Sequence, residues 1–159
     1  RRQRQMCIRD RCVGKVKEEF YRNRIREFSE QLNRQVKTEI TEVEDERTPD
    51  GSNELNLNKI REAEGERLLH YLPKNAEELV IALCIDGKKY DQDQMRGLIK
   101  RYETERGISQ VTYIIGGSVG LDERVIRRAD VRLSFSDMTF PHQLMRVMLL
   151  EQLMSIHYL

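Results

Sequence analysis

The sequence predicts an α/β protein, built as a three-layer sandwich around a mainly parallel sheet. Two runs, "ELVIALCID" (78–86) and "VTYIIGG" (111–117), are apolar throughout or nearly so, which is typical of strands that helices cover on both faces. Segments with helical periodicity alternate with strand-like segments along the chain, as they do in parallel sheets. The chain of 159 residues is long enough for one domain with a core of its own.

Each element is assigned in chain order from its pattern. The first clear element is a helix whose buried face carries Tyr21, Ile25, Phe28 and Leu32, at spacings of four, three and four. The later elements are a strand at 36–43, a loop at 45–53, a helix at 55–71 ended by Pro73, the strand at 78–86, a helix at 90–107 closed by Gly107, the strand at 111–117, a short helix at 122–129, a short strand at 131–135 and a final helix at 141–154.

The first eleven residues, "RRQRQMCIRDR", differ from the rest of the chain. They are rich in arginine, and their apolar residues recur with neither the period of a helix nor that of a strand. We predict that residues 1–11 are foreign sequence, with a basic arm that grips nucleic acid as the alternative. A βα series should begin with a strand, so "CVGK" (12–15) is interpreted as the tail of a first strand whose beginning is lost. Residues 12–159 are then a single domain with an incomplete first strand.

Composition narrows the class of protein. The 28 basic and 27 acidic side chains nearly cancel, which does not indicate a nucleic-acid binder, although a neutral total can contain a basic patch. Cys7, Cys12 and Cys84 lack metal or disulfide spacing, so we expect a reducing, cytoplasmic compartment and no metal. Cys84 lies in an apolar run and is expected to be buried and inert. The sequence contains no apolar run long enough to span a membrane and no signal-peptide pattern.

A glycine-rich turn, "IIGGSVGL" (114–121), joins a predicted buried strand to a helix. Gly116, Gly117 and Gly120 would let a ligand approach the backbone, and the following helix would offer free N–H groups. Dinucleotide-binding folds use the same device, but their pattern needs glycine where Ile115 stands and an acidic residue about 20 positions later. A tight turn without a ligand is the other interpretation.

The stretch "LSFSDMTFPHQLMRVMLLEQL" (133–153) is too irregular for a strand and too apolar for an ordinary loop. Its first part alternates hydroxyl and apolar side chains around Asp137, in the order Ser134, Phe135, Ser136, Met138, Thr139 and Phe140. Such a mixed wall suits a flat ligand with polar edges, for example adenine. A strand end that packs into the core, followed by Pro141 in the first turn of a helix, is the alternative.

The final helix begins with His142 and Arg146, which are four residues apart and share a face. Histidine can move a proton near neutral pH, and arginine can hold a phosphate or carboxylate. A solvated surface pair is the alternative. The rest of the helix is apolar on more than one side, which favours packing against a second body, with a homodimer as the natural candidate.

Together, "VIALCIDGK", "IIGGSVGL" and "LSFSDMTFPHQLMRVMLLEQL" resemble the ribosomal RNA large subunit methyltransferase H family, a small SPOUT class of methyltransferases. The similarity extends from about residue 12 to about residue 153, in order and with the spacing of the family. The segment "EAEGERLL" (62–69) also resembles the family's helix with a Glu-Gly-x-Arg turn.

The resemblance implies a fold, a reaction and a set of residues. Family members are homodimers with a C-terminal trefoil knot, and they transfer a methyl group from S-adenosylmethionine to N3 of a pseudouridine in helix 69 of 23S rRNA. By resemblance, the cofactor-binding residues are Leu83, Gly116, Phe135, Ser136, Asp137, Met138, Thr139 and Phe140. Arg146 is the first candidate for holding the uracil or a phosphate during catalysis, and His142 is the second.

Two departures from the family pattern leave other functions open. The first strand is reduced to "CVGK", and the chain ends in "EQLMSIHYL", so the family's tail is not carried over to His157 and Tyr158. One rival is an α/β domain that binds a nucleotide of the NAD type. Another is a ribosome-associated binder that keeps the fold without catalysis.

Overall fold

The computed structural model describes residues 6–157, in which strands and helices alternate. The strands are β1 (Cys7–Val13), β2 (Thr38–Val43), β3 (Glu78–Lys89), β4 (Gln110–Ile115) and β5 (Val131–Ser134). The helices are α1 (Glu19–Asn33), α2 (Glu54–His70), α3 (Gln92–Arg106), α4 (Glu123–Arg128) and α5 (His142–Ile156). Within residues 6–157, none of these helices combines the length and apolar character needed to cross a bilayer.

The five strands form one sheet in the order β2-β1-β4-β3-β5, and every neighbouring pair is parallel. Because all strands point the same way, the loops that follow them gather at one edge of the sheet. That edge is where ligands bind in open α/β sheets.

Helices cover both faces of the sheet, which confirms the predicted sandwich. On one face, α1, α3 and α5 contribute Leu32, Met95 and Leu149 to a core that includes Tyr113 and Ile81 of the sheet. On the other face, α2 and α4 pack against the sheet in a smaller apolar cluster that consists of Val13, Val43, Leu68, Leu72, Val80, Ile114 and Val125. Burial of these two apolar faces is the main force that holds the layers together.

β1 is a seven-residue strand near the centre of the sheet, with Ile8 opposite Thr38 of β2 and Val111 of β4. The expectation that only the tail of a first strand remains is therefore wrong: pairing begins at Cys7, and the boundary expected at residue 12 falls inside the strand. Ladder hydrogen bonds come from the backbone, so a strand can form where the side chains show no period. The foreign origin of residues 1–11 stays a prediction, and residues 1–5 lie outside the described part.

Two charged side chains of β1 are buried, and they point to opposite faces of the sheet. Asp10 is 1% exposed, and burial raises the pKa of its carboxyl to about 6. Arg11 donates to the carboxylate of Glu39 at 3.1 Å and lies over the ring of Tyr71. Buried charges of this kind cost free energy that an apolar strand would not lose.

The other nine elements confirm the assignments from sequence, with ends that move by a few residues. α3 begins with a capping box, in which the Asp91 carboxylate accepts from the Gln94 N–H at 2.7 Å and the Gln94 side chain accepts from the Asp91 N–H at 2.9 Å. Gly107 ends the helix with a φ of 64°, as the sequence predicted.

Candidate active site

A cavity of about 750 Å³ opens at the carboxyl ends of β3, β4 and β5. Its walls are residues 83–86, residues 115–121 and most of residues 133–142, with Arg61 of α2 at the side. A volume of this size is typical of small-molecule sites. The three stretches singled out in the sequence therefore meet around one space.

The first wall is a bulge in β3. Pairing with β5 shifts between Leu83 and Lys88, so the residues between them have no regular partner and bend toward the cavity. At Gly87 a Cβ would lie 2.9 Å from the Arg132 backbone, which explains why glycine stands there. Cys84 is in the bulge, half-buried and lining the cavity, so the expectation that it is a buried core thiol is wrong.

The second wall is the glycine turn after β4. A Cβ on Gly116 would lie 2.9 Å from the backbone carbon of Gly120, so two stretches of backbone can touch only because glycine has no side chain. Gly120 has a φ of 84° and its N–H donates to the Gly117 carbonyl at 3.1 Å. The turn therefore presents bare backbone to the cavity.

The third wall is the loop between β5 and α5. The Ser134 hydroxyl donates to the Ser136 carbonyl at 3.0 Å, and the Ser136 hydroxyl accepts from the Met138 N–H at 3.0 Å. These bonds use the hydroxyls to shape the loop. The predicted cofactor residues that line the cavity are Leu83, Gly116, Phe135, Ser136, Met138, Thr139 and Phe140.

Asp137 is the predicted cofactor residue that the structure does not bring to the cavity. Its carboxylate points outward and pairs with Lys89, at the end of the β3 bulge. This exposed ion pair joins the first wall to the third. Pairs of this kind contribute little to stability, and the Asp137 side chain does not line the cavity.

His142 is the first residue of α5 and lines the cavity. Burial lowers the pKa of its imidazole below the ordinary value, the Asp45 carboxylate raises it, and the Arg146 guanidinium lowers it. A lowered pKa leaves the ring neutral at pH 7, and a neutral ring can accept a proton.

Arg146 lies one turn further along α5 and does not reach the cavity. It is 3% exposed, and its guanidinium donates to the Gly14 carbonyl at 3.0 Å and pairs with the Glu42 carboxylate at 2.7 Å. Gly14 directly follows β1, and Glu42 lies near the end of β2. Arg146 therefore ties α5 to the carboxyl edge of the sheet. The interpretation of His142 and Arg146 as a solvated surface pair is also wrong, because neither side chain is exposed.

A model of the family described as "Predicted SPOUT methyltransferase" matches residues 6–157. The chain belongs to the SPOUT methyltransferase family. A relative described as "Ribosomal RNA large subunit methyltransferase H", from Bifidobacterium animalis subsp. lactis, is 47% identical over 142 residues, which are 89% of this chain and 87% of the relative. A relative with the same description from Clostridium botulinum is 46% identical over 140 residues, which are 88% and 86% of the two chains.

The family match favours a methyltransferase over the NAD-binding domain that the sequence left open. Within residues 6–157, no cluster of three or more His, Cys, Asp and Glu side chains is arranged to hold a metal ion.

Arg61 lines the SPOUT methyltransferase cavity and was missed from the sequence. The Arg61 Nε donates to the Val119 carbonyl at 2.7 Å, and its Nη1 donates to Glu54 and Asn58 on the same helix. Arg61 thus fixes the glycine turn from α2. Arg61 and Val119 are 58 positions apart in the sequence, so no local period could have revealed the contact.

Proposed function

We propose that this chain transfers a methyl group from S-adenosylmethionine to N3 of a pseudouridine in helix 69 of 23S rRNA. The observation that carries the proposal is the cavity formed by the β3 bulge, the glycine turn and the loop before α5, within a SPOUT methyltransferase. The relatives described as "Ribosomal RNA large subunit methyltransferase H" support rRNA as the substrate. A cytoplasmic location is part of the same proposal.

The residues of the cavity fit S-adenosylmethionine. Its lining combines apolar side chains, such as Leu83, Phe135 and Met145, with the open backbone of the glycine turn. Apolar walls suit the faces of adenine, and backbone N–H and C=O groups suit its edges. When bound, the cofactor supplies a methyl group on a sulfonium, which is already activated toward a nucleophile.

The chain itself must then orient the nucleobase and accept one proton. We propose that His142 accepts it, because the imidazole lines the cavity and burial keeps it neutral. The N3 proton would move to a ring nitrogen of His142, which would leave N3 with an electron pair free to attack an activated methyl group. Arg146 is assigned a supporting role, since its guanidinium is occupied by Glu42 and Gly14.

We further propose that residues 135–141 are the threaded part of a trefoil knot and that the chain acts as a homodimer. Support for the dimer comes from the outer side of α5, where Leu144, Val147 and Met148 are only partly covered. Replacing Val147 with glutamate should convert a dimer into a monomer in analytical ultracentrifugation, whereas Lys100→Glu on the exposed side of α3 should not. A wild-type monomer at micromolar concentration would contradict the dimer.

Calorimetry with S-adenosylhomocysteine tests the cofactor. We expect binding heat with this product and none with NAD at the same concentration. Folded protein that gives no heat with S-adenosylhomocysteine would contradict the proposed cofactor.

Methyl transfer to ribosomes tests the substrate. With labelled S-adenosylmethionine, intact ribosomes and free 23S rRNA are compared, and digestion followed by mass spectrometry locates the methyl group. We expect methylation in helix 69, and none when uridine replaces the pseudouridines there. Cofactor binding without any methyl transfer would favour a ribosome-associated binder.

His142→Gln tests the proton acceptor. The change should lower kcat by about 100-fold, the usual size of a general-base effect, with little change in the affinity for S-adenosylhomocysteine. His70→Gln is the matched control, because His70 is exposed and lies outside the cavity. An equal kcat for the two variants would remove His142 from the mechanism.

A further inference from the structure

Glu64 of α2 is a buried carboxylate that lies directly against the glycine turn. The residue is 4% exposed. A Cβ built on Gly117 would lie 3.3 Å from its Oε1 and 3.5 Å from its Oε2, so glycine is what lets the carboxylate come this close to the backbone. Gly117 in turn lines the cavity. This glycine therefore contacts both the cavity and the carboxylate.

The two oxygens of Glu64 differ in their hydrogen bonds. Oε2 accepts from the Glu46 N–H at 3.0 Å and so helps to hold the loop after β2. Among residues 6–157, Oε1 is buried and has no hydrogen-bond partner, which costs free energy. Glutamine would also accept from the Glu46 N–H, and it would bury no charge. The contact with the loop therefore does not explain why this residue is a carboxylate.

Close packing of α2 keeps the carboxylate in place. The next residue, Gly65, has no room for a side chain, because a Cβ there would lie 2.5 Å from the Cβ of Asp122 at the start of α4. The Cγ1 atom of Val13 lies 3.1 Å from the Cβ position of Gly117 and covers the same spot as the carboxylate. Glu64 is therefore held between the end of β1 and the glycine turn.

The arginines of α2 that lie near Glu64 are engaged by other carboxylates. Arg67, one turn further along the helix, pairs with the Glu46 carboxylate. Arg61, one turn earlier, pairs with Glu54 at 3.0 Å. Within the part of the chain that the structure describes, Glu64 itself forms no ion pair, so its charge is not neutralised by a direct contact.

The two ligands proposed for the cavity differ in charge at one atom. S-adenosylmethionine is a sulfonium cation, whereas S-adenosylhomocysteine is a thioether without charge on sulfur. Their adenosine and amino-acid parts are the same. A negative charge that is shielded from water attracts a nearby cation more strongly than it would in bulk solvent, and it has little effect on a neutral sulfur. A buried carboxylate behind the wall of the cavity can therefore distinguish the two ligands.

We propose that Glu64 is a specificity-determining residue that favours the cationic methyl donor over its neutral product. The proposal rests on the proposed function, because that function supplies the cofactor. Glu64 acts through space from behind Gly117 and is assigned no contact with the reacting atoms. Since transfer of the methyl group removes the charge from sulfur, the attraction is lost once the reaction is complete, and the product can leave more easily.

Calorimetry with both ligands tests the proposal, in the wild type, in Glu64→Gln and in Glu62→Gln. Burial raises the pKa of the Glu64 carboxyl and the Glu46 N–H lowers it, so pH 8 is chosen to keep the group charged. Glu64→Gln should weaken S-adenosylmethionine about 10-fold, or about 1.4 kcal/mol, and change S-adenosylhomocysteine by less than about 2-fold. Glu62 is an exposed carboxylate of the same helix, and its variant should bind both ligands as the wild type does.

A second variant separates the charge from the packing. Glu64→Asp keeps the charge but shortens the side chain, so it should weaken both ligands alike and preserve the ratio of their affinities. Urea unfolding checks that Glu64→Gln is folded, and we expect it to be at least as stable as the wild type because it buries no charge. A ratio that falls equally in Glu64→Asp and Glu64→Gln would show that shape, and not charge, is responsible.

The wild type separates this proposal from the proposed function. If it binds neither ligand, the proposed cofactor fails and this inference fails with it. If it binds both, and Glu64→Gln leaves the ratio of their affinities unchanged, the cofactor stands and only the role of Glu64 is overturned.

Discussion

Asp10 provides the sharpest test of the energetics of this fold. Its carboxyl is fully buried in β1, on the face covered by α5, and burial raises its pKa from 3.8 to about 6 in spite of the nearby Arg146 and Arg11. Between pH 3.8 and about pH 6, the folded protein therefore keeps a proton on Asp10 that the unfolded chain has released. The folded state is therefore destabilised as the pH rises through that window.

The magnitude follows from the same two pKa values. Each pKa unit corresponds to about 1.36 kcal/mol, so the shift costs about 3 kcal/mol at any pH above 6.5 and almost nothing below pH 3.5. Asp10→Asn removes the charge and keeps an oxygen that can accept from Cys12. We expect the variant to be about 3 kcal/mol more stable than the wild type at pH 7.5, or about 6 to 12 °C higher in Tm.

Urea unfolding of both proteins at several pH values between 4 and 8 is the assay. The difference in the free energy of unfolding cancels the contributions of groups that titrate alike in the two proteins. It should rise between pH 4 and pH 6.5 and then stay constant. A difference that is independent of pH, or a variant that is less stable at pH 7.5, would show that Arg146 and Arg11 fully compensate the buried carboxylate.

Three further predictions concern glycines and the end of α5. Gly65→Ala forces α2 away from Asp122 and should cost about 1–3 kcal/mol in urea unfolding, whereas Gly97→Ala, which meets no atom within 4 Å, should stabilise α3 by about 0.5–1 kcal/mol. Equal effects would contradict the packing argument. Gly116→Ala should weaken S-adenosylhomocysteine binding at least 10-fold in calorimetry, because the added Cβ would collide with the Gly120 backbone. The same collision should lower the free energy of unfolding by about as much as Gly65→Ala does. Unchanged affinity would count against the glycine turn as a wall of the cofactor site. Burial lowers the pKa of His157 to about 4, so its neutral form is favoured in the folded protein and stability should fall by up to about 3 kcal/mol as the pH falls from 6.5 to 4. His157→Gln should remove this acid-sensitive component, and the same acid loss in that variant would refute the assignment.

Local patterns predicted most of the architecture. The unbroken apolar runs of β3 and β4 predicted strands covered on both faces, because a strand between two helical layers has no solvent side. The capping of α3 by Gly107 followed from the same kind of short-range rule. These features depend on residues that are close in sequence, so a period or a cap is enough to reveal them.

β1 shows where local patterns fail. Its side chains include Arg9, Asp10 and Arg11, so residues 7–11 predicted no strand, and only residues 12–15 were interpreted as the tail of one. The strand forms because β2 and β4 present unpaired backbone groups on both sides of it. That demand arises from the assembled sheet and leaves no trace in the sequence of β1 itself.

The candidate site also combines features that local sequence predicts with features that only tertiary contacts decide. The sequence by itself singled out the three stretches that line the cavity, since glycine spacing and mixed polar and apolar side chains are local features. Only the tertiary structure decided that Arg146 is buried in an ion pair, that Asp137 points outward, and that Arg61 of α2 holds the glycine turn. Those outcomes depend on side chains that are distant along the chain and adjacent in space, and such proximity exists only after the sheet has brought the ends of its strands together.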